Sequence, residues 1–235
     1  MIVFNCISSK ELFSSDVRID LGVTKVRRNF KMENILVTSY LAGIEEQFIE
    51  FISKKEITSK KILFIPTAGN VENYTGYIDD GIKLLERLGY TLNIFDISNE
   101  SQKKCYQEIA NAKIICISGG NTFYLLQEIK KKNLVPLLKE KLNNDCLYIG
   151  ESAGGIILAE DIEYNKIMDS TSLAPELKDY SGLGIVNFYP LPHYIEEPFT
   201  ETVQQTFKKY HKKIKLIPIN NKQAIFVDDG KISII

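Results

Sequence analysis

The sequence predicts an α/β fold: a three-layer sandwich with a mainly parallel sheet and an antiparallel C-terminal extension. Three observations predict it. Short apolar runs alternate with helix-length amphipathic segments between residues 35 and 150, as repeated βαβ units require. The runs Ile114–Ile117 and Cys146–Ile149 are apolar throughout, the pattern of strands covered on both faces. After residue 160 the segments shorten and look antiparallel, and Asp229-Gly230 between Val227 and Ile232 is a hairpin signal.

Ile35–Thr38 is the first β-rich run, and Ile44–Lys55 has helical periodicity through Phe48, Phe51 and Ile52. Ile62–Ile65 is a second strand, stopped by Pro66. Tyr77–Leu88 is an amphipathic helix with Ile78, Ile82, Leu85 and Leu88 on one side, and Gly89 ends it as a C′ glycine does. Leu92–Phe95 is a third strand, Gln102–Asn111 a helix and Ile114–Ile117 a fourth strand. Helices over Phe123–Lys132 and Leu134–Leu142 lead to a fifth strand, Cys146–Ile149. Phe199–Tyr210 reads as one more helix, and Leu216–Ile219 and Ala224–Val227 as strands.

Residues 1–31 show no sustained period, and Arg27-Arg28 separates them from the rest. They are expected to be a dispensable extension of a single domain spanning residues 32–235; an extra edge strand is the alternative.

The chain has 235 residues, is 44% hydrophobic and carries a net charge of −1. The apolar share supplies a sizeable core, and the balanced charge gives no footing for nucleic acid or an anionic membrane. No apolar stretch approaches the ~18 residues a spanning helix needs, and no signal peptide is evident. Cys6, Cys105, Cys116 and Cys146 show no C-x-x-C spacing, so a reducing compartment, buried thiols and no metal are expected.

The most informative residues are Gly150-Glu151-Ser152-Ala153-Gly154. They read G-x-S-x-G between an apolar strand and an apolar helix start, the setting of a nucleophile elbow. The N–H group after the serine would then face a developing oxyanion at a helix N-terminus. The plain alternative is a strand-to-helix turn whose small residues allow close packing. A serine nucleophile needs a base, and the only histidines are His193 and His211. His211 sits in Lys208-Lys209-Tyr210-His211-Lys212-Lys213, where a helix C-terminus explains it. His193, in Leu191-Pro192-His193-Tyr194, is left as the base, and the rate should then rise through an apparent pKa near ~7. Asp169 is chosen as the carboxylate that orients the imidazole, with Asp179, Glu163 and Glu151 as competitors and an N-cap role as its plain alternative. A second Gly-rich turn, Ser118-Gly119-Gly120-Asn121-Thr122, also runs from strand to helix. In a parallel sheet such turns gather outside the carboxyl ends of the strands, so the two could bracket one oxyanion site. Gly119, Asn121, Thr122 and Glu151 are therefore expected to face the substrate.

Ile117-Ser118-Gly119-Gly120-Asn121-Thr122-Phe123-Tyr124-Leu125-Leu126, Leu147-Tyr148-Ile149-Gly150-Glu151-Ser152-Ala153-Gly154-Gly155 and Leu191-Pro192-His193-Tyr194 together resemble the S51 serine peptidases, the group of dipeptidase E and cyanophycinase. The resemblance runs from about Asn34 to the C-terminus and is nearest an uncharacterised bacterial branch with GESAG and LPHY. It implies a class I glutamine amidotransferase-like sandwich, Ser152 as nucleophile, His193 as base, and oxyanion N–H groups from Gly120 and Ala153. Asp169 falls close to where dipeptidase E-like sequences carry an acid. There are two departures. Many members carry an acid in the turn before the penultimate strand, where this chain has Asn220-Asn221-Lys222-Gln223-Ala224. Aspartyl enzymes also need a cation for the substrate carboxylate, and outside residues 1–31 the only arginine is Arg87, on a helix expected far from the site.

The expectation is a cytoplasmic serine peptidase for small peptides, without cofactor or metal. Its partner is a small peptide substrate, not nucleic acid or membrane, with a homodimer as the oligomeric option. The rivals are an esterase and a non-catalytic small-molecule or peptide-binding relative of the same fold.

Overall fold

The structure, a computed structural model, describes residues 34–55, 57–144 and 146–235. The expectations for residues 1–31 and for Cys6 lie outside the described residues. Strands β1 (Ile35–Thr38), β2 (Lys61–Ile65), β3 (Thr91–Ile94), β4 (Ile114–Ile117) and β5 (Leu147–Glu151) form the parallel part of a seven-stranded sheet. Helices α1 (Glu45–Ser53), α2 (Gly76–Arg87), α3 (Gln102–Asn111), α4 (Thr122–Lys131) and α5 (Val135–Leu142) separate these strands, and a short α6 (Ala153–Ile156) follows β5. Gly89 adopts φ +82° just past α2, the left-handed turn that its lack of a Cβ permits.

The layers follow from side-chain alternation along each strand. Val37, Leu63, Ile65, Ile115, Ile117 and Tyr148 pack on one side with Ile109 of α3, Phe123 and Leu126 of α4 and Leu138 of α5. Leu36, Phe64, Ile114, Cys116 and Ile149 pack on the other with Phe48 and Phe51 of α1 and Leu84 and Leu85 of α2. Each such side chain, fully withdrawn from water, contributes on the order of 1.5–3 kcal/mol. Cys105, Cys116 and Cys146 are buried free thiols within these layers. No helix among the described residues is long and apolar enough to cross a membrane.

The C-terminal part consists of β6 (Tyr189–Leu191), α7 (Thr200–Tyr210), β7 (Leu216–Pro218), β8 (Ala224–Asp228) and β9 (Lys231–Ile234). The hairpin at Asp229-Gly230 joins β8 to β9, both antiparallel, and β8 extends the sheet beside β1. One feature differs from the expected antiparallel extension: β6 and β7 pair in parallel as a separate two-stranded sheet. The physical reason is α7, which supplies the crossover that a parallel pair needs.

The order β3-β2-β4-β5-β1-β8-β9 places β5 between β4 and β1. Ile117 near the end of β4 registers with Gly150 of β5, and Thr38 of β1 with Glu151. The turns that leave β4 and β5 therefore lie side by side at one sheet end.

Candidate active site

Ser152 occupies the turn between β5 and α6 with φ 45° and ψ −106°, a conformation rarely tolerated outside glycine and characteristic of strained functional turns. The neighbouring backbone over-determines it. Ser152 N–H donates to Thr38 O at 2.8 Å, and Ser152 O accepts from the N–H groups of Gly155 and Ile156 at 2.9 Å each. The following turn must run close to the sheet: a Cβ on Gly154 would lie 2.2 Å from Ile117 O. The Tyr148 hydroxyl, buried beneath, donates to Gly154 O at 2.6 Å.

His193 follows β6 and also has positive φ, 61°. Ser39 Oγ accepts from His193 N–H at 3.0 Å and donates to Ile219 O, also at 3.0 Å, which holds that loop against the end of β1. The imidazole stacks on Phe199, ring centroids 4.4 Å apart. Its Nε2 atom lies 2.9 Å from Ser152 Oγ.

The other ring nitrogen, Nδ1, lies 3.2 Å from Asn221 Oδ1. An amide oxygen only accepts, so Nδ1 carries the proton and Nε2 presents its lone pair to the serine hydroxyl. Asn221 is anchored in turn, its N–H donating to Glu196 Oε1 at 3.2 Å. Enclosure of the imidazole lowers the His193 pKa to about 4, against smaller upward pulls from the Asn221 hydrogen bond and the Glu196 charge. His211 is elsewhere, exposed at the end of α7, where its Nδ1 meets Phe207 O at 2.9 Å.

Asp169 does not meet His193, which corrects the sequence expectation. Its Oδ2 atom accepts from Thr122 N–H and from Asn165 Nδ2, both at 2.8 Å, so it caps the start of α4. Burial, only partly offset by Thr122 and Asn165, raises its pKa to about 6. Asn121 and Thr122, unlike Asp169, are committed to the scaffold rather than to the cavity. Asn121 Oδ1 caps Tyr124 N–H and its Nδ2 donates to Ser170 O. Thr122 Oγ1 accepts from Asn165 Nδ2. Asp179 pairs with Lys130 and Glu163 with Lys166 on the surface.

Glu151 is buried beside the serine and ties two loops together. Its Oε1 accepts from Leu41 N–H at 2.8 Å and its Oε2 from Gly119 N–H at 3.3 Å. Desolvation raises its pKa to about 7 although both N–H groups favour the anion. Gly120 comes next, with φ +127°, and a Cβ there would lie 2.3 Å from Ala68 O. Asn121 N–H donates to Ala68 O at 2.9 Å, which pins the turn.

A cavity of about 360 Å³ opens beside Ser152 and His193 and includes Gly119, Gly120 and Glu151 in its wall. Two buried polar atoms in its wall, Tyr77 OH and Asn165 Oδ1, have no hydrogen-bond partner among the described residues. Leaving such an atom unsatisfied costs roughly 1–3 kcal/mol. Among the described residues, no three His, Cys, Asp or Glu side chains gather as metal ligands would.

The model of peptidase family S51 matches residues 34–235. The chain belongs to peptidase family S51. An uncharacterised peptidase of Listeria monocytogenes is 40% identical over 196 residues, which cover 83% of this chain and 95% of that protein. An uncharacterised peptidase of Pasteurella multocida is 37% identical over 198 residues, 84% of this chain and 95% of its own length. A crystal structure of a Listeria monocytogenes protein, provisionally named a peptidase E, superposes with a TM-score of 0.81. It is 37% identical and covers 87% of this chain and 98% of that one. The fold, a mostly parallel sheet between helices with antiparallel C-terminal strands, is thus the S51 fold, and S51 is a family of peptidases.

In this S51 chain Arg87, the last residue of α2, is exposed, paired with Glu45 and not among the residues lining the cavity. The residue of this arrangement that sequence reasoning missed is Asn221, the partner of His193 Nδ1. Its signal was positional: it lies in the turn before β8 where an acid was sought, and an amide oxygen can meet a histidine N–H as a carboxylate does.

Proposed function

We propose that this chain is a serine peptidase that hydrolyses small peptides through an acyl-enzyme on Ser152. The observation that carries the reading is the relay Ser152 Oγ–His193 Nε2 at 2.9 Å and His193 Nδ1–Asn221 Oδ1 at 3.2 Å. With Nδ1 protonated, Nε2 accepts the hydroxyl proton as Ser152 Oγ attacks the peptide carbonyl carbon. The oxyanion forms between the Gly120 and Ala153 N–H groups, neither of which donates to another described residue. Preorganised donors of this kind typically supply the largest share of acyl-transfer catalysis. The imidazolium then returns its proton to the leaving amine, and water, deprotonated by the same nitrogen, cleaves the acyl ester.

A cavity of about 360 Å³ is at the small end for ligand sites, which suits a dipeptide or short peptide. The S51 relatives support peptide-bond hydrolysis. The arrangement parallels Cys-His-Asn enzymes, in which an amide orients the base.

The test is labelling with a fluorophosphonate followed by a dipeptide library. Wild type should be labelled on Ser152 and turn over members of the library. Ser152→Ala should lose labelling and at least about 10³-fold of turnover with little change in folding. Labelling without turnover of any peptide would favour an esterase. Absence of both would favour a peptide-binding relative, a reading that the uncharged Asn221 supports because it cannot stabilise the imidazolium by charge.

A further inference from the structure

The cavity beside Ser152 is strongly one-sided in charge. Glu72, Glu151, Asp169 and Glu197 line it, and none of the described residues in its wall is a lysine or arginine. Glu151 is committed to the Leu41 and Gly119 N–H groups. Asp169 is only half committed, since the Thr122 and Asn165 N–H donors both meet Oδ2, and a carboxylate has acceptor sites on both oxygens. Asn165 points to the same place by a separate route. Its Nδ2 is used twice, on Thr122 Oγ1 and on Asp169 Oδ2. That requirement for a donor fixes the amide orientation and leaves Oδ1, on a residue with 0% exposure, unpartnered in the cavity wall. Glu72, Tyr77 and Asp169 all line this same cavity.

An orphaned acceptor beside under-used carboxylates calls for a ligand that donates several hydrogen bonds and carries positive charge. A carboxylate ligand would add to the repulsion and bring no donor. A neutral amide would bring at most two donors and no charge. A primary ammonium brings three donors and the needed charge.

We propose that Asn165 Oδ1, the Asp169 carboxylate and Glu72 receive a primary ammonium group of the substrate, so that the site selects small cationic peptides over acidic ones. The ammonium is either the free α-amino group of the first residue or a lysine side chain. This names the substrate class for the serine-peptidase reading and rests on it for the cleavage step, but not for binding. A cation beside Asp169 would favour its charged form, against the burial that holds it above the usual carboxylate range.

The test separates binding from turnover. Calorimetry on Ser152→Ala protein uses three probes: leucinamide with an α-ammonium, Nα-acetyl-lysinamide with only a side-chain ammonium, and N-acetyl-leucinamide with neither. One of the two ammonium probes should bind at least about tenfold tighter than the neutral one, and which one identifies the source. Adding Asp169→Asn or Glu72→Gln should each weaken that probe by about 5- to 10-fold. Asn at 169 can still accept from Thr122, and Glu72 is exposed, so at least the second variant folds. In the wild type, Glu72→Gln should raise KM for the matching peptide more than it lowers kcat. Equal binding of all three probes, tighter binding of N-acetyl-aspartate added as an acidic control, or indifference to both substitutions would overturn the proposal. Fluorophosphonate labelling of wild type reports the peptidase reading separately: failure to label with ammonium binding intact would sink the hydrolysis and leave this site standing.

Discussion

Asn221 Oδ1 lies 3.2 Å from His193 Nδ1, so a neutral amide holds the imidazole that faces Ser152. It fixes the tautomer as a carboxylate would, but adds no charge to favour the imidazolium formed during attack. Asn221→Ala should lower kcat by about 10- to 100-fold with little effect on KM. Asn221→Asp should keep the hydrogen bond and raise the imidazole pKa, moving the acid limb of the pH–rate profile to higher pH. A pH profile of kcat/KM on the three proteins measures this, and an unchanged limb in Asn221→Asp would contradict the pairing.

The pH dependence of the wild type follows from enclosure of His193, whose pKa falls to about 4. Activity governed by this base should rise through about pH 4 and not through ~7 as for a solvated histidine. The same shift is a stability statement. A depressed folded-state pKa contributes stability that is complete above the unfolded value near 6.5 and is lost as pH falls through about 4. His193→Ala should remove the limb, and His211→Ala, a substitution on the far end of α7, should leave it in place.

Glu151 has the opposite sign. Its folded pKa is raised to about 7 from an ordinary value of 4.5, so its contribution is complete below ~4.5 and is lost as pH rises through about 7. The loss is on the order of 3 kcal/mol, since one pKa unit corresponds to about 1.36 kcal/mol. Glu151→Gln has no charge to lose. The difference in unfolding free energy between the two proteins should therefore shift in favour of Glu151→Gln as pH rises from about 4.5 to about 7. One amide oxygen cannot serve both Leu41 and Gly119, so this variant should also lose activity at every pH. Denaturant titrations across that range check the first outcome; parallel pH dependence of the two proteins would refute it.

The chemistry-bearing turns were legible because clustered glycines at a strand end serve few purposes besides close backbone approach. Gly150-Glu151-Ser152 and Ser118-Gly119-Gly120 both lie where two adjacent parallel strands stop. The core was legible because alternation along each strand assigns Leu36 and Val37, or Cys116 and Ile117, to opposite faces. The partner of His193 was not, because a capping aspartate and an orienting aspartate look alike in one dimension. Asp169 sits in a suitable segment, yet the N-terminus of α4 claims it. The parallel pairing of β6 with β7 was also hidden: three-residue strands are too short to show a face, and their direction is set by α7 between them.

Gly120 and Gly119 offer a paired test of the oxyanion turn. At Gly120 φ is +127° and a Cβ would lie 2.3 Å from both C and O of Ala68. Both are backbone atoms, and Ala68 O is itself fixed by the Asn121 N–H, so the turn cannot yield without moving. Gly120→Ala should be destabilised by roughly 1–3 kcal/mol, a fall in Tm of about 2–12 °C for a domain of this size. Its N–H should also leave the oxyanion position, cutting kcat by about 10²–10³-fold. Gly119 lacks the positive φ, and its added Cβ would meet Ser152 Cβ at 3.3 Å and the Tyr77 ring at 3.4 Å. Those contacts are tight and involve side chains that can shift by a few tenths of an ångström. Gly119→Ala should thus fold nearly as well as wild type while crowding the cavity beside the nucleophile, with KM rising more than kcat falls. Thermal melts and steady-state kinetics on the pair decide the matter. Equal kcat in Gly120→Ala and wild type would remove Gly120 from the oxyanion site and leave Ala153 to hold the charge with another donor.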